Sequence, residues 1–270
     1  MDTAEEFLLR LKGYRRLAVA LSGGVDSATL AKAAALALGD HAVAVTAVSP
    51  FTSAEERRAA REVAQNTGLR QVEIETREME DPRVAANDEE RCYHCKRDRF
   101  EQLAAWAEEE GFAPVAEGSN QDDRSDYRPG LRAVAELFPR VVSPFLEAGW
   151  GKAEIRWQAK TWGLSVWNKP SAACLASRVA YGLPLTAERL AMVEAAERAV
   201  RPFAAGQLRV RHHGSLARIE AEPEALPRLI AHREEIAAAL RTVGFSYVTL
   251  DLAGYRTGSA NEVLALSVRR

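Results

Sequence analysis

Cysteine is scarce in this chain: 3 residues in 270, at positions 92, 95 and 174. So small and odd a set reads as ligands or nucleophiles in a reducing compartment before it reads as a disulfide framework. An excess of charge of one sign is also missing. The 36 Lys and Arg residues face 38 Asp and Glu, a formal net charge of −2, which argues against a nucleic-acid surface. No apolar run approaches the roughly 20 residues that span a bilayer. Met1 to Gly13 carries Glu5, Glu6, Arg10 and Lys12 among its apolar residues and reads as an amphipathic helix, not a signal peptide. The expectation is a cytoplasmic protein with no membrane and no nucleic-acid partner. Internal repeats and low-complexity segments are absent too. What is plentiful is apolar residues, 47% of the chain, enough for the core of one large domain or two.

The most informative stretch runs from Leu17 to Leu38. Leu17 to Leu21 is a short apolar run that reads as a buried strand, and Ala28 to Leu38 is an Ala- and Leu-rich helix. Ser22, Gly23, Gly24, Val25, Asp26 and Ser27 join them. Paired glycines let a backbone turn sharply and approach an anion with no Cβ in the way. The amides opening the helix have no intrahelical partner and sit at the positive end of its dipole, so the joint is a phosphate site. It has neither the Walker lysine nor a Gly-x-Gly-x-x-Gly fingerprint. The plain alternative is an ordinary turn with Asp26 or Ser27 as N-cap.

Ala42 to Val48 is a second strand ending at Ser49-Pro50. Ser53 to Thr67 is a helix with Ser53 as N-cap and Glu56 at the capping-box position, and Gln71 to Glu75 is a third strand. This alternation predicts a doubly wound parallel sheet of the α/β class, with ligands beyond the carboxyl ends of its strands. Thr76 to Arg91 is charged and without period, and is expected to be a mobile loop. Tyr93 to Glu110 is a helix with Phe100, Leu103, Ala104 and Ala107 on one face. Pro114 to Ala116 is a strand opening into a polar loop, Glu117 to Gly130, that either lines the site or is merely solvated. Val141 to Phe145, a helix at Lys152 to Trp162 and a loop at Trp167 to Gly182 follow. From about Thr186 the pattern becomes a small α+β unit: helix 187–200, strands 208–212 and 216–220, helix 223–243 and strand 247–252. Residues 1–184 and 185–270 are the expected domains. The C-terminal strands are suited to pairing between subunits, so a homo-oligomer is expected.

Cys92 and Cys95 form a Cys-x-x-Cys pair at a helix start, where the dipole favours thiolates. Three cysteines cannot complete a four-cysteine site. With Cys174 they suit either a [4Fe-4S] cluster with one iron open or a zinc site completed by water or His94. A redox pair lacks a thioredoxin-like context, and three unrelated buried thiols are the plain alternative.

Ser-Gly-Gly-x-Asp-Ser resembles the PP-loop of the ATP pyrophosphatases, which cleave ATP to AMP and pyrophosphate, usually with magnesium. Five further segments narrow this: Arg91 to Lys96, Ser125 to Gly130, Trp167 to Arg178, Arg209 to His213 and Tyr247 to Arg256. In this order they resemble, over nearly the whole chain, the LarE family of sulfur transferases of nickel-pincer cofactor synthesis. The resemblance implies ATP, Mg2+ and a small mononucleotide, pyridinium-3,5-biscarboxylic acid mononucleotide, whose carboxylate is adenylated and converted to a thiocarboxylate. It implies nucleotide binding by Ser22, Gly23, Gly24, Val25, Asp26 and Ser27, with Ser49 and Arg128. Asp26, Cys174 and Arg178 would be catalytic. Arg178, Arg209, Arg211 and Arg256 would grip the substrate's phosphate and second carboxylate, because guanidinium matches both. In one version of the chemistry Cys174 gives up its own sulfur and becomes dehydroalanine. In the other, Cys92, Cys95 and Cys174 hold a [4Fe-4S] cluster whose open iron carries the sulfide. Three cysteines match the second. Lys152, His212 and His213 carry no assigned role at this level. Competing readings are a tRNA thiolase, an amide-forming synthetase of the NAD or GMP type, and an ATP-binding iron–sulfur module without catalysis.

Overall fold

The computed structural model describes residues 3–125, 129–170, 173–256 and 258–262. They fall into two compact units, one of residues 1–81 with 90–172 and one of residues 82–89 with 173–270.

The first unit contains α1 (Ala4–Lys12), β1 (Leu17–Ala20), α2 (Val25–Leu38), β2 (Ala42–Val48), α3 (Ala54–Thr67) and β3 (Gln71–Glu75). After the excursion that holds α4 (Pro82–Ala85) come α5 (Arg91–Glu109), β4 (Val115–Ala116), α6 (Pro129–Glu136), β5 (Val141–Val142), α7 (Pro144–Ala148) and α8 (Lys152–Thr161). The sheet order is β3-β2-β1-β4-β5, and every pairing is parallel. Strand side chains alternate between faces, and both faces are apolar because both are covered. Leu17 and Val19 join Phe7, Leu30, Phe145, Trp150 and Ile155 on one side. Ala18, Val43 and Val45 join Phe100, Leu103, Val115 and Val141 on the other. The doubly wound sheet expected from the strand–helix alternation is the fold observed.

Local signals explain the boundaries. Ser53 and Glu56 form the expected capping box at α3, and Thr3 with Glu6 forms another at α1. Thr76 to Arg91, expected to be a mobile loop, is instead structured, with a 3-10 turn at Glu78–Glu80 followed by α4. Its charged residues hide the apolar anchor: Glu78, Val84, Asn87 and Arg91 are all buried.

The second unit holds α4, α9 (Ala187–Val200), β6 (Leu208–His213), β7 (Leu216–Ala221), α10 (Leu226–Ala231), α11 (Arg233–Val243) and β8 (Tyr247–Leu250). The β6–β7 pair is antiparallel and β7–β8 parallel. Leu208, Val210 and Ile219 point into a core with Val200, Leu229, Ile236, Leu240 and Phe245. Period 2 therefore sends Arg209 and Arg211 to the opposite face of β6. The single helix expected over 223–243 is a 3-10 turn and two helices parted at His232. The unit starts at Ala173, ahead of the change of pattern near Thr186, because the 173–185 segment is hydrogen-bonded to α4 and β6.

Three rings stack at the centre of the first unit, with Phe7 centred 5.0 Å from Phe145 and 4.7 Å from Trp150. Phe145→Ala should cost about 3–5 kcal/mol of stability in urea unfolding, and a loss below about 1 kcal/mol would contradict this core assignment.

Candidate functional site

The strand order reverses between β1 and β4, which makes the carboxyl ends of these two strands the crevice where a doubly wound sheet takes its ligand. The β1–α2 joint opens there. Gly23 has φ +75°, and a Cβ on it would lie 2.7 Å from the Ala60 nitrogen, so no other residue fits without displacing α3. Gly24 is the N-cap of α2 and no side chain caps the helix. Asp26 and Ser27 therefore lie inside the first turn, and the plain N-cap alternative is not what forms. The Ser27 hydroxyl donates to the Gly24 carbonyl at 3.1 Å and accepts from the Ser22 amide at 3.2 Å. The loop is thus braced by its own serine, while the helix start keeps its dipole and amides for an anion.

Asp26 adds a carboxylate at this cradle. Burial raises its pKa above the ordinary Asp range, and the charge and hydrogen bond of Lys152 pull the other way. Its Oδ1 is buried without a hydrogen-bond partner among the described residues. A hard oxygen ligand left over beside a phosphate cradle fits magnesium or its bound water. Lys152 opens α8, and its amide donates to Asp122 of the polar loop. Lys169 donates to the Gly23 carbonyl at 3.3 Å. Neither lysine role was read from the sequence. The only hint was Gly151-Lys152 at a helix start.

The turn after β4 closes the other side. A Cβ on Gly118 would sit 3.1 Å from Asp26 Cβ and 3.3 Å from the Ser27 nitrogen, so the turn packs directly on the first turn of α2. Glu117 holds that turn in place. It is buried and accepts from the Ser119 amide at 3.1 Å, the Ser119 hydroxyl at 2.7 Å, the Lys96 ammonium at 3.0 Å and the Ser143 hydroxyl. Burial alone would raise its pKa, but Lys96 and these hydrogen bonds outweigh burial and hold it below the usual carboxylate range. Asn120 and Asp123 are buried as well, with the Asn120 amide bound to Asp123 Oδ2 at 3.0 Å. The polar loop is therefore part of the crevice wall. Arg128 lies outside the described residues. Ser49 ends β2 on the same edge of the sheet and donates to Glu78 at 2.8 Å.

The cysteines divide between the units. Cys92 lies in the first turn of α5 and Cys95 about one turn further on, and Cys174 is the N-cap of a 3-10 turn, Leu175–Arg178, in the second unit. All three are half-buried and in no disulfide. Among the described residues, no group of three or more His, Cys, Asp or Glu side chains is arranged to hold a metal, so neither unit assembles the expected ligand set by itself.

All four singled-out arginines belong to the second unit, and the charges of Arg178 and Arg211 both act on Arg209. Arg178 pairs with Glu197 at 3.1 Å and donates to the Cys174 carbonyl at 2.8 Å. Arg211 pairs with the fully buried Glu220 and donates to Ser177 O at 2.9 Å. Burial and then the Arg178 charge depress the pKa of Arg209, with Glu197 and Tyr255 acting in the opposite sense. Arg256 is more exposed than these and pairs with Glu262 at 3.1 Å, although the charge of Glu220 also reaches it. The neutralising carboxylates, Glu197 and Glu220, carried no signal in the sequence, since nothing in a single chain marks which acids face a strand's arginines.

These charges generate a pH test. The Asp26 carboxylate is the form that attracts magnesium, so magnesium-ATP affinity should fall as pH drops through its raised pKa. Lys152→Met removes the groups that lower this pKa and should move the midpoint of the affinity profile to higher pH. Asp26→Asn should flatten the profile. A midpoint unmoved or shifted down in Lys152→Met would contradict the pairing, and equilibrium binding measured across pH decides it.

Comparison with known proteins agrees with this geometry. Residues 7–94, which contain the cradle, match the asparagine synthase family. The chain is 42% identical over 92% of its length to an uncharacterised Synechocystis protein, of which 93% is covered. It is 31% identical over 90% of its length to an uncharacterised Methanocaldococcus jannaschii protein, of which 92% is covered. It is 35% identical over 94% of its length, covering 92% of the relative, to the pyridinium-3,5-bisthiocarboxylic acid mononucleotide synthase of Lactiplantibacillus plantarum. Identity of this extent, together with the PP-loop cradle at the sheet's switch point, places the chain in the LarE family of ATP-utilising PP-loop enzymes of sulfur transfer.

Proposed function

We propose that this enzyme adenylates a carboxylate of pyridinium-3,5-biscarboxylic acid mononucleotide and converts it to a thiocarboxylate. The observation that carries the reading is the braced, uncapped start of α2 with Asp26 beside it, in a chain 35% identical to a synthase of the bisthiocarboxylic product. A carboxylate is a poor electrophile. Attack of its oxygen on the α-phosphorus of ATP breaks the bond to the bridging oxygen and expels pyrophosphate. The charge that develops there needs donors placed beforehand. The amides of Gly24 to Ser27 and the Lys152 and Lys169 ammoniums supply them, and Asp26 would hold magnesium, which would add positive charge at the phosphates. The acyl carbon then accepts sulfur and AMP leaves. The Arg178, Arg209 and Arg211 cluster binds the anionic groups of the mononucleotide.

The chain's three thiols are the donor set that suits a [4Fe-4S] cluster with one iron open, and the sequence has no other. Cys92, Cys95 and Cys174 would hold it by three corners, and the bound cluster would supply sulfide to the activated carboxylate. Cys92 and Cys95, one helical turn apart, present both sulfurs on one side of α5.

AMP and pyrophosphate should appear in equal amounts only when the mononucleotide is present, and Cys174→Ala should keep that release while losing thiocarboxylate. ATP cleavage that ignores the mononucleotide would defeat the reading. Anaerobic purification followed by iron and sulfide analysis tests the sulfur source. Iron lost in Cys92→Ser supports the cluster, whereas loss of the elements of hydrogen sulfide from the Cys174 peptide in mass spectra after turnover shows that Cys174 gave up its own sulfur.

A further inference from the structure

Residues 82–89 leave the first unit after β3 and belong to the second. Asn87 is what ties this strap down. It is fully buried and has φ +59°, a left-handed conformation that Asn tolerates better than most residues. Its amide donates to the Val84 carbonyl at 3.2 Å and so closes α4. Its side-chain Nδ2 donates to Ala180 O and Leu183 O, both at 2.9 Å, and reaches Val179 O at 3.5 Å. Its main-chain carbonyl accepts from Gly182 N at 3.1 Å, and Ala85 O accepts from Leu185 N at 2.8 Å. The strap therefore satisfies both edges of the 179–185 turn.

That turn is continuous with the 3-10 turn capped by Cys174 and ending at Arg178. On its other side it is anchored to β6, where Ala180 N donates to His212 O at 3.0 Å and Arg211 reaches Ser177 O at 2.9 Å. The Cys174 carbonyl itself is held by the Ser177 hydroxyl and Arg178, both at 2.8 Å. From Cys174 to Leu183 the loop is thus fixed largely through its main-chain carbonyls, and Asn87 supplies the donor for its C-terminal half.

We propose that Asn87 is a positioning residue that sets the Cys174–Arg178 turn for sulfur transfer. This rests on the reading of Cys174 and Arg178 given above. Removing the Nδ2 donor takes away the partner that the half-buried Ala180 and Leu183 carbonyls share with that of the buried Val179, and carbonyls that lose a partner away from bulk water drive local rearrangement. Arg178, directly before Val179, and Cys174 move with the turn, and a displacement of about 1 Å is enough to cost up to about 100-fold in rate.

The test uses the full chain with two variants. Asn87→Asp keeps the shape and replaces the donating amide group by an acceptor. Asn87→Gly keeps the left-handed backbone and removes the side chain. Three readouts apply: amide exchange at Gly182 and Leu185, alkylation of Cys174 by iodoacetamide relative to Cys92 in the same sample, and kcat and KM for ATP. Faster exchange, a changed Cys174 rate with Cys92 unchanged, and kcat lowered about tenfold or more at constant KM are expected. Wild-type alkylation and kcat in a folded variant would overturn the proposal. A Cys174→Ala enzyme that still transfers sulfur would instead defeat the reading of Cys174, and the exchange and alkylation results would stand apart from it. Should neither variant fold, the wild type decides: Gly182, Leu185 and Asn87 amides must exchange as one cooperative unit, and independent exchange refutes the strap.

Discussion

Everything at the crevice depends on one helix start that carries no side-chain cap. The α2 amides and dipole remain unspent because Gly24 occupies the N-cap position and the nearby serine braces the loop instead of the helix end. That arrangement needs Gly23, since any Cβ there would strike α3. It also needs the α2 helix packed tightly on β1, which its run of buried alanines permits. The alternation of strand and helix then places the loop beside β4, where Glu117 and Gly118 close against it. Sequence, topology and electrostatics converge on a single anion cradle.

Charge compensation is the second constraint. Asp26 is kept beside Lys152, Glu117 beside Lys96, Glu220 beside Arg211 and Arg218, and Glu197 beside Arg178. Glu117 and Glu220 are buried, and removing the partner of a carboxylate so placed leaves an uncompensated charge that costs roughly 3–5 kcal/mol, whereas the partly exposed Asp26–Lys152 pair is worth less. Both units therefore hold opposed charges in place before a ligand arrives. A polyanionic reaction, with nucleotide, pyrophosphate and a phosphorylated substrate, uses such prearranged cations with little reorganisation.

The parallel sheet, the cradle and the capping box of α3 were legible because each has a local signature: apolar runs, paired glycines, Ser53 followed by Glu56. The family was legible in the order of the motifs. Three features were not. The 76–91 segment reads as a charged loop because its anchors, Val84 and Asn87, are isolated among polar residues. Lys152 and Lys169 act across long sequence separations, and only the folded chain brings them to the loop. The helix over 223–243 reads as one because apolar residues recur on both sides of His232, and the polar run 232–235 that interrupts them is too short to mark a break by itself. Contacts made within a few residues were readable, and those that depend on chain closure were not.

The central claim is that a substrate carboxylate oxygen attacks the α-phosphorus of ATP at the Ser22–Ser27 cradle. Pyridinium-3,5-biscarboxylic acid mononucleotide labelled with oxygen-18 in its carboxylates, incubated with enzyme, magnesium-ATP and a sulfur source, tests this most directly. The account predicts that each AMP released carries one labelled oxygen, taken from the carboxylate that becomes the thiocarboxylate. AMP free of label, with its new oxygen drawn from water, would contradict it.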